Sequence, residues 1–271
     1  MTALRHFLIA LQFFTRIPVT GRLAQWVGFS PEMLRASAAY FPVVGVVVGG
    51  IVTLLTAALL FLLPTAYAPL VAAVLGTAAG VWITGAFHED GLADVADGLG
   101  GSYDRERALI IMKDSRVGAF GAIAVVLALL AKVALLALIG SVSSVGMCAA
   151  LMGAHVVSRM WPLFVIRLLP HVGDDAGSKS KPLADQISIQ SLALAALFCD
   201  LALGMSVWFF PVAWEIWAAA LAGSAIAFWR TWRLFARRLQ GFTGDCLGTT
   251  QQVSELAFYL GWALALGWVA R

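Results

Sequence analysis

The densest group of side chains able to do chemistry in this sequence is acidic. Of the 15 acidic residues, seven lie between positions 89 and 114. If HEDGLADVADG is helical, Asp90, Asp94 and Asp97 follow at i, i+4 and i+7 and share one face. Three like charges on one face repel one another, whereas carboxylate oxygens suit Mg²⁺ or Mn²⁺. The spacing therefore predicts a divalent metal site, with Glu89 next to this face as a further ligand.

Basic side chains follow the acidic cluster. Lys113 and Arg116 flank Asp114 in the sequence KDSRVGAFG. Cations beside a carboxylate-bound metal neutralise the charge that develops during phosphoryl transfer. The pattern favours a phosphate-bearing substrate contacted by Lys113 and Arg116, with Asp114 orienting them or completing the metal shell. Two simpler interpretations stay open: the carboxylates form a solvated acidic loop, and the cations are ordinary membrane-flanking charges.

A second polar motif, GFTGDCLGTTQQVSE, covers residues 241–255. Glycines around Thr243 leave backbone N–H groups accessible to a phosphate. Asp245 is a candidate for binding a metal or a ribose hydroxyl, and Gln251 for binding substrate. The motif also fits a helix start with Thr243 or Asp245 as N-cap. The two interpretations are compatible, because helix N-termini bind phosphate.

The composition determines which elements carry these motifs. Hydrophobic residues make up 61% of the 271-residue chain and charged residues 12%, and the mean hydropathy is +0.89. These values exclude an ordinary soluble domain. A helix needs about 20 mostly apolar residues to cross a bilayer. Seven stretches qualify: 38–63, 69–87, 118–140, 144–166, 189–210, 213–229 and 254–270. Residues 1–16 are apolar but short, which is typical of an interfacial helix.

The expected fold class is therefore all-α: a polytopic helical membrane protein of about seven transmembrane helices plus an N-terminal interfacial helix. Residues 1–271 would form a single integral membrane domain. The connections near 64–68, 141–143 and 211–212 contain no Lys or Arg, whereas the alternate connections contain nearly all of them. By the positive-inside rule, the N-terminus and the predicted catalytic loop at 88–117 are cytoplasmic. The polar stretch 171–188 lies on the same side and offers Asp174, Asp175, Lys179 and Lys181 as substrate contacts, although its Gly, Ser and Pro content fits a mobile lid equally well.

Polar residues that fall inside the predicted spans include Lys132, His155, Ser158 and Arg159. Charges at that depth are costly, so each is expected to be paired or functional. His155 and Arg159 stand at i and i+4 and are expected to line a cavity under the acidic site. We therefore include Arg159 among the substrate-binding candidates.

Several motifs together resemble one known family. FHEDGLADVADGLGGSYDRERALIIMKDSRVGAFG (87–121) is similar to the signature of the cobalamin synthase family, the adenosylcobinamide-GDP ribazoletransferases. LIALQFFTRIPV (8–19), YFPVVGVVVGG (40–50) and GFTGDCLGTTQQVSE (241–255) resemble other motifs of that family, in the same order. Thr249 stands where the family has alanine. The resemblance covers roughly residues 5 to 260.

The resemblance implies a bacterial inner-membrane transferase with Mg²⁺ as cofactor. Its substrates would be adenosylcobinamide-GDP and α-ribazole, or the 5′-phosphate of α-ribazole, and its products adenosylcobalamin, or its 5′-phosphate, and GMP. In this mechanism a ribose hydroxyl attacks the diphosphate, with Asp94 or Asp97 as general base and Lys113 and Arg116 on the phosphate oxygens. A homo-oligomer, or an assembly with other enzymes of the cobalamin pathway, stays open, and no nucleic acid is expected as a partner.

Two other classes of membrane protein share some of these features. A CDP-alcohol phosphotransferase acting on lipid also uses aspartates on membrane helices, but its spacing requires an arginine where this sequence has Asp94. A solute transporter would suit the buried Lys132 and Arg159. However, the acidic residues lie at one face of the membrane rather than at its middle.

Overall fold

The computed structural model describes residues 2–173 and 187–269. Every regular element in these ranges is a helix, apart from an isolated bridge between His171 and Phe242, so the predicted all-α fold class is confirmed. The helices are α1 (Thr2–Phe14), α2 (Gly21–Val27), α3 (Pro31–Ser37), α4 (Phe41–Leu62), α5 (Ala68–Thr84), α6 (Phe87–Gly101), α7 (Arg105–Met112), α8 (Ala119–Val142), α9 (Ser144–Val157), α10 (Trp161–Leu168), α11 (Ile189–Phe209), α12 (Trp214–Arg238) and α13 (Gly244–Val269). The four candidate substrate contacts between positions 174 and 181 lie outside the described residues.

Within the described residues, four helical stretches are long and apolar enough to cross a membrane. They are Pro31–Leu62, Ala119–Val142, Ser144–Leu168 and Ile189–Phe209. A fifth candidate joins α5 to α6, which meet at a bend of 89°. The prediction of a helical protein with several membrane-capable helices is confirmed, whereas the count of seven spans stays a prediction.

The boundaries of four predicted spans lie within three residues of α4, α5, α8 and α11. Helix α12, however, continues to Arg238, well beyond the predicted end at 229, and α13 starts at Gly244 rather than at 254. Hydropathy marks where a helix is apolar, whereas the backbone stays helical into the polar residues beyond. The predicted N-terminal helix is present as α1, a short apolar helix.

The outer faces of α8 and α11 consist of exposed apolar side chains. On α8 these include Ile123, Val126, Leu127 and Leu130, each more than half exposed. Water would not tolerate such a continuous apolar surface, whereas lipid does. These faces therefore fit contact with the bilayer.

Small residues allow the inner helices to pack closely. A Cβ placed on Gly49 of α4 would lie 2.9 Å from the Cβ of His155 on α9. One placed on Gly223 of α12 would lie 2.5 Å from the carbonyl oxygen of Ala257 on α13. Such contacts between small residues replace the hydrophobic driving force that is missing in lipid. They hold α4, α9, α12 and α13 around the polar residues described next.

Candidate active site

The acidic helix α6 leaves α5 at a sharp bend. Gly85 ends α5 in the left-handed region at φ 69°, and Ala86 follows at φ 60°. Glycine adopts this conformation without steric cost, whereas alanine does so rarely. The Ala86 N–H closes the end of α5 by donating to the carbonyl of Val81 at 2.9 Å. The acidic residues therefore occupy a separate helix, nearly perpendicular to the α5 span.

The segment predicted as a catalytic loop, 88–117, is thus mostly helical, since it contains most of α6 and all of α7. On α6, Asp90 is exposed and Asp94 is half-buried. The predicted helical register of these two carboxylates is confirmed.

Asp97 binds the start of the neighbouring helix α8. Its two carboxylate oxygens accept hydrogen bonds from the backbone N–H groups of Gly118, at 2.7 Å, and Gly121, at 2.8 Å. Both groups belong to the N-terminus of α8, where a negative charge is stabilised by the helix dipole. Asp97 therefore caps α8 and joins it to α6, and its predicted part in metal binding or catalysis stays a prediction.

Asp245 lies beside the acidic face of α6, because α13 and α6 pack backbone to backbone. A Cβ on Gly91 would lie 2.8 Å from the carbonyl oxygen of Asp245, and Thr249 donates to the carbonyl of Gly91 at 2.9 Å. Burial, with the nearby charges of Asp245 and Asp90, raises the pKa of Asp94 to about 7. Burial likewise raises the pKa of Asp245, whose Oδ2 accepts a hydrogen bond from Thr243 at 3.2 Å. The structure thus places Asp245, from the second motif, beside Asp90 and Asp94, from the first.

Glu89 points away from these aspartates. Its Oε1 accepts from Gln252 at 3.0 Å, and its Oε2 is buried without a hydrogen-bond partner. Over residues 2–173 and 187–269, no three His, Cys, Asp or Glu side chains are arranged to hold a metal ion. The four predicted ligands, Glu89, Asp90, Asp94 and Asp97, are therefore not gathered at one point. The oxygen donors that share a surface are Asp90, Asp94 and Asp245.

The predicted phosphate contacts lie between α7 and α8. Arg116 binds Asp114 in a two-pronged ion pair, with Nη2 to Oδ2 at 2.6 Å and Nε to Oδ1 at 3.0 Å. These hydrogen bonds hold the pKa of Asp114 at about 2. Lys113 directly follows α7 as its C-cap and is exposed. Asp114 orients Arg116, as the sequence predicts, while contact of either cation with phosphate stays a prediction.

Beneath the aspartates lies a buried polar network around Glu255. Its carboxylate accepts hydrogen bonds from Lys132 at 2.6 Å, Tyr259 at 2.9 Å and Gln251 at 2.6 Å. Gln251 also donates to Ser158 at 3.0 Å. The expectation that Lys132 is paired is confirmed, and its partner comes from the opposite end of the chain.

Arg159 lines a pocket, as predicted, whereas His155, which was predicted to line it too, is not among the lining residues of that pocket. Its Nη1 donates to the carbonyl oxygen of His155 at 2.9 Å, and its Nε is buried without a hydrogen-bond partner. Gln251 and His88 line the same cavity. The cavity adjoins the N-terminus of α13, since Gly244 forms part of its wall.

Comparison with known proteins shows the family of the chain. The Cobalamin-5-phosphate synthase family matches residues 6–263. This chain belongs to that family. The adenosylcobinamide-GDP ribazoletransferase of Albidiferax ferrireducens is 65% identical over 277 residues, covering 97% of this chain and 99% of the relative. The proteins of the same name from Polaromonas naphthalenivorans and Leptothrix cholodnii are 62% and 48% identical, each over 97% of this chain and over 99% and 97% of the relative. No solved structure matches the chain.

The family resemblance stated from the motifs is thus confirmed, but two features of this Cobalamin-5-phosphate synthase member were missed. One is the structural use of Asp97, for which the signal was the pair of glycines in VGAFG at the start of α8. The other is the pairing of Lys132 with Glu255. An isolated lysine in one apolar stretch and an isolated glutamate in another were the available signal.

Proposed function

We propose that the chain joins adenosylcobinamide-GDP to α-ribazole, or to its 5′-phosphate, and releases GMP, at a Mg²⁺-dependent site on α6 and α13. The observation that carries the proposal is the family match over residues 6–263. The packing at Gly91 supports the location, because it brings Asp245 beside Asp90 and Asp94. Carboxylates that can bind a metal, with exposed cations nearby, are the groups that an enzyme acting on a diphosphate needs.

The donor chemistry of this surface fits Mg²⁺, and Mn²⁺ has the same preference for oxygen ligands. Mg²⁺ is usually held by one or two carboxylates, with substrate phosphates and water completing its shell. A preformed cage of three protein ligands is therefore not required. Asp90 and Asp245 would hold the ion, one from each helix. A bound divalent cation would neutralise the diphosphate and stabilise the attacking and leaving oxygens.

The remaining residues have separate tasks in the proposed reaction. A ribose hydroxyl oxygen forms a bond to the phosphorus attached to the corrinoid arm, the P–O bond to GMP breaks, and Asp94 accepts the hydroxyl proton. Asp94 is preferred to Asp97 as general base, because both oxygens of Asp97 already accept backbone hydrogen bonds. Arg116, oriented by Asp114, and Lys113 contact phosphate oxygens.

The proposal is tested by turnover of the purified protein in liposomes with adenosylcobinamide-GDP and α-ribazole, measuring GMP and the corrinoid product. Product is expected with Mg²⁺ and not with EDTA. Asp94→Asn should lower kcat by about 10²- to 10⁴-fold, the usual contribution of a general base. Asp90→Asn and Asp245→Asn should each raise the Mg²⁺ concentration for half-maximal activity by about tenfold or more.

Glu106→Gln is the matched control, because Glu106 is an exposed carboxylate on the adjacent helix α7. It should keep wild-type turnover and metal dependence. Folding of each variant is checked by its thermal unfolding in detergent. Turnover that is unaffected by EDTA would exclude the metal proposal, and near-normal kcat in Asp94→Asn would exclude that residue as the base.

We also propose that this site faces the cytoplasm from the inner membrane. The basic end of α12 contacts the end of the acidic helix: Arg238 donates to the carbonyls of Ser102, at 2.7 Å, and Leu99, at 3.4 Å. The cluster and the arginine-rich end of α12 thus lie on one side, which the positive-inside rule makes cytoplasmic. Tyr103 is 93% exposed there, while the native cysteines Cys148, Cys199 and Cys246 are buried. Tyr103→Cys should react with an impermeant maleimide in inverted vesicles and not in intact cells.

A further inference from the structure

The outward face of α12 is apolar along most of its length and basic at its end. Exposed apolar side chains occur on this face at helical spacing: Ala218, Ala222, Ile226 and Trp229. The same face continues with three exposed arginines: Arg230, Arg233 and Arg237. The opposite face, which includes Trp217 and Phe235, is buried. One continuous surface of the helix thus leads from apolar side chains to three cations.

The apolar part of this face has the length of one leaflet of a membrane. A helix rises about 16 Å between the positions of Ala218 and Trp229, and half of a hydrocarbon core of about 30 Å is about 15 Å. Trp229 is 45% exposed at the boundary between the two parts, and tryptophan is favoured at the membrane–water interface. With the apolar part in the bilayer, the arginines lie at the depth of the lipid headgroups.

The three guanidinium groups have no anionic partner in the part of the chain that the structure describes. Arg230 and Arg237 form no side-chain hydrogen bond or ion pair there. Arg233 lies over the ring of Trp229, at 4.9 Å from its centroid, and a stacked guanidinium keeps the N–H groups at its edge for other partners. Arg238, in contrast, is bound to backbone carbonyls of the α6 end. Like charges on one helix face repel one another, so an anion between them would be stabilising.

Two general rules do not account for this arrangement. Cations stabilise the C-terminus of a helix only within its last turn, which contains Arg237 but neither Arg230 nor Arg233. The positive-inside rule requires cations on the cytoplasmic side but not on one face of one helix. The three arginines, with Trp229 and Leu234, also line an open cleft of about 380 Å³, within the range of small-molecule sites. The arrangement therefore indicates a common anionic ligand.

We propose that the basic end of α12 binds the headgroup of an anionic phospholipid. Its phosphate lies among Arg230, Arg233 and Arg237, and an acyl chain follows the face along Ile226 and Ala222. Guanidinium groups bind phosphate oxygens in two-pronged pairs, and basic segments beside a membrane attract anionic lipids. A soluble phosphate ester would leave the apolar part of the face unused. A zwitterionic lipid carries an ammonium group that cancels the net attraction.

The test titrates the detergent-solubilised protein with phosphatidylglycerol, or with phosphatidylcholine of the same acyl chains, and resolves each bound lipid by native mass spectrometry. Wild type should bind the first phosphatidylglycerol about tenfold or more tightly than phosphatidylcholine. The double variant Arg230→Gln, Arg233→Gln should raise the Kd for phosphatidylglycerol by about 30-fold, roughly fivefold for each arginine. Its Kd for phosphatidylcholine should stay within about twofold of wild type.

Two control variants separate this site from general electrostatic attraction. Arg22→Gln with Arg107→Gln removes the same net charge from exposed positions on α2 and α7, and should leave phosphatidylglycerol binding within about twofold. Arg230→Lys with Arg233→Lys keeps both charges and should retain most of the binding, since attraction to an anionic headgroup depends mainly on charge. All four replaced side chains are exposed, and thermal unfolding without added lipid checks that each variant is folded.

Three results would overturn the proposal. One is equal binding of the two lipids by wild type. Another is phosphatidylglycerol binding by the double glutamine variant within about twofold of wild type, or an equal loss of binding in the Arg22 and Arg107 control. The third is a rise of about tenfold in the KM for adenosylcobinamide-GDP with unchanged lipid binding, which would assign the arginines to the substrate. Absence of turnover by folded wild type would contradict the proposed function but not this site, because lipid binding is measured without substrates.

Discussion

Replacing Lys132 by methionine should destabilise the protein strongly, because it leaves Glu255 charged and buried without a cation in contact. Lys132 is 5% exposed and Glu255 1%, and their charged atoms are 2.6 Å apart. Removing one partner of a buried ion pair costs about 3–5 kcal/mol. At about 2–4 °C per kcal/mol for a chain of this size, the melting temperature should fall by roughly 6–20 °C. Methionine has a similar length, so little of this loss comes from packing.

The double variant Lys132→Met, Glu255→Gln isolates the electrostatic part. Glutamine keeps one oxygen, which accepts from Tyr259, and loses the oxygen that accepts from Gln251, but it carries no charge, so the unpaired buried charge disappears. The double variant should therefore be more stable than Lys132→Met alone, with a coupling free energy of about 2 kcal/mol or more.

The assay is thermal unfolding in detergent, with Leu130→Met as control, because Leu130 lies on the exposed face of the same helix and should tolerate the change. Two results would refute the reasoning. One is a Lys132→Met variant whose stability is within about 1 kcal/mol of wild type, since an unpaired buried carboxylate lowers the stability by more than that. The other is a double variant as unstable as the sum of the two single ones, because the pair would then not be coupled.

Three further predictions concern the acidic helix α6. Asp97→Asn should lower the stability by about 1–2 kcal/mol, measured by thermal unfolding, because it weakens the cap on α8; an effect confined to metal dependence would contradict this role. Gly91→Ala should lower kcat/KM by about 10- to 100-fold without unfolding the protein, because a Cβ 2.8 Å from the Asp245 carbonyl must push α6 and α13 apart; wild-type kinetics would show that the contact does not position the site. Activity should fall on the acid side of neutrality, about tenfold per pH unit below the pKa of Asp94, since a protonated carboxyl cannot accept the hydroxyl proton. That pKa is about 7 without a metal, and a bound Mg²⁺ would lower it, so the fall should begin below pH 7, and a flat profile from pH 4 to 8 would contradict Asp94 as the base.

The helices were predictable because their signals are local. Apolar runs of about 20 residues located α4, α5, α8 and α11 within three residues at each end. The spacing of Asp90 and Asp94 likewise predicted a shared helical face, since both lie within two turns of one helix. The sequence could also indicate that Lys132 must be paired, because an unpaired charge at that depth is costly.

The positions that depend on distant parts of the chain could not be predicted. The 89° turn into α6 requires Ala86 at φ 60°, and alanine carries no signal for that conformation. Asp97 has the helical spacing of a third ligand, yet its carboxylate caps a helix that starts more than 20 residues later. Asp245 reaches the acidic face through backbone packing at Gly91, which no local pattern encodes.

The contact between α6 and α13 links the three parts of the site, because each crosses the same short interface. Thr249 and Gln252 of α13 bind α6 through the Gly91 carbonyl and the Glu89 carboxylate. Helix α13 also carries Asp245 at the aspartate surface, Gln251 at the cavity and Glu255 in the polar network. A shift of α13 against α6 would therefore move all three together. The buried network around Glu255 therefore fixes the position of α13 against α6, and with it the distance from Asp245 to Asp90 and Asp94. Gly91 and Gly248 at the interface keep that distance short, because they carry no Cβ.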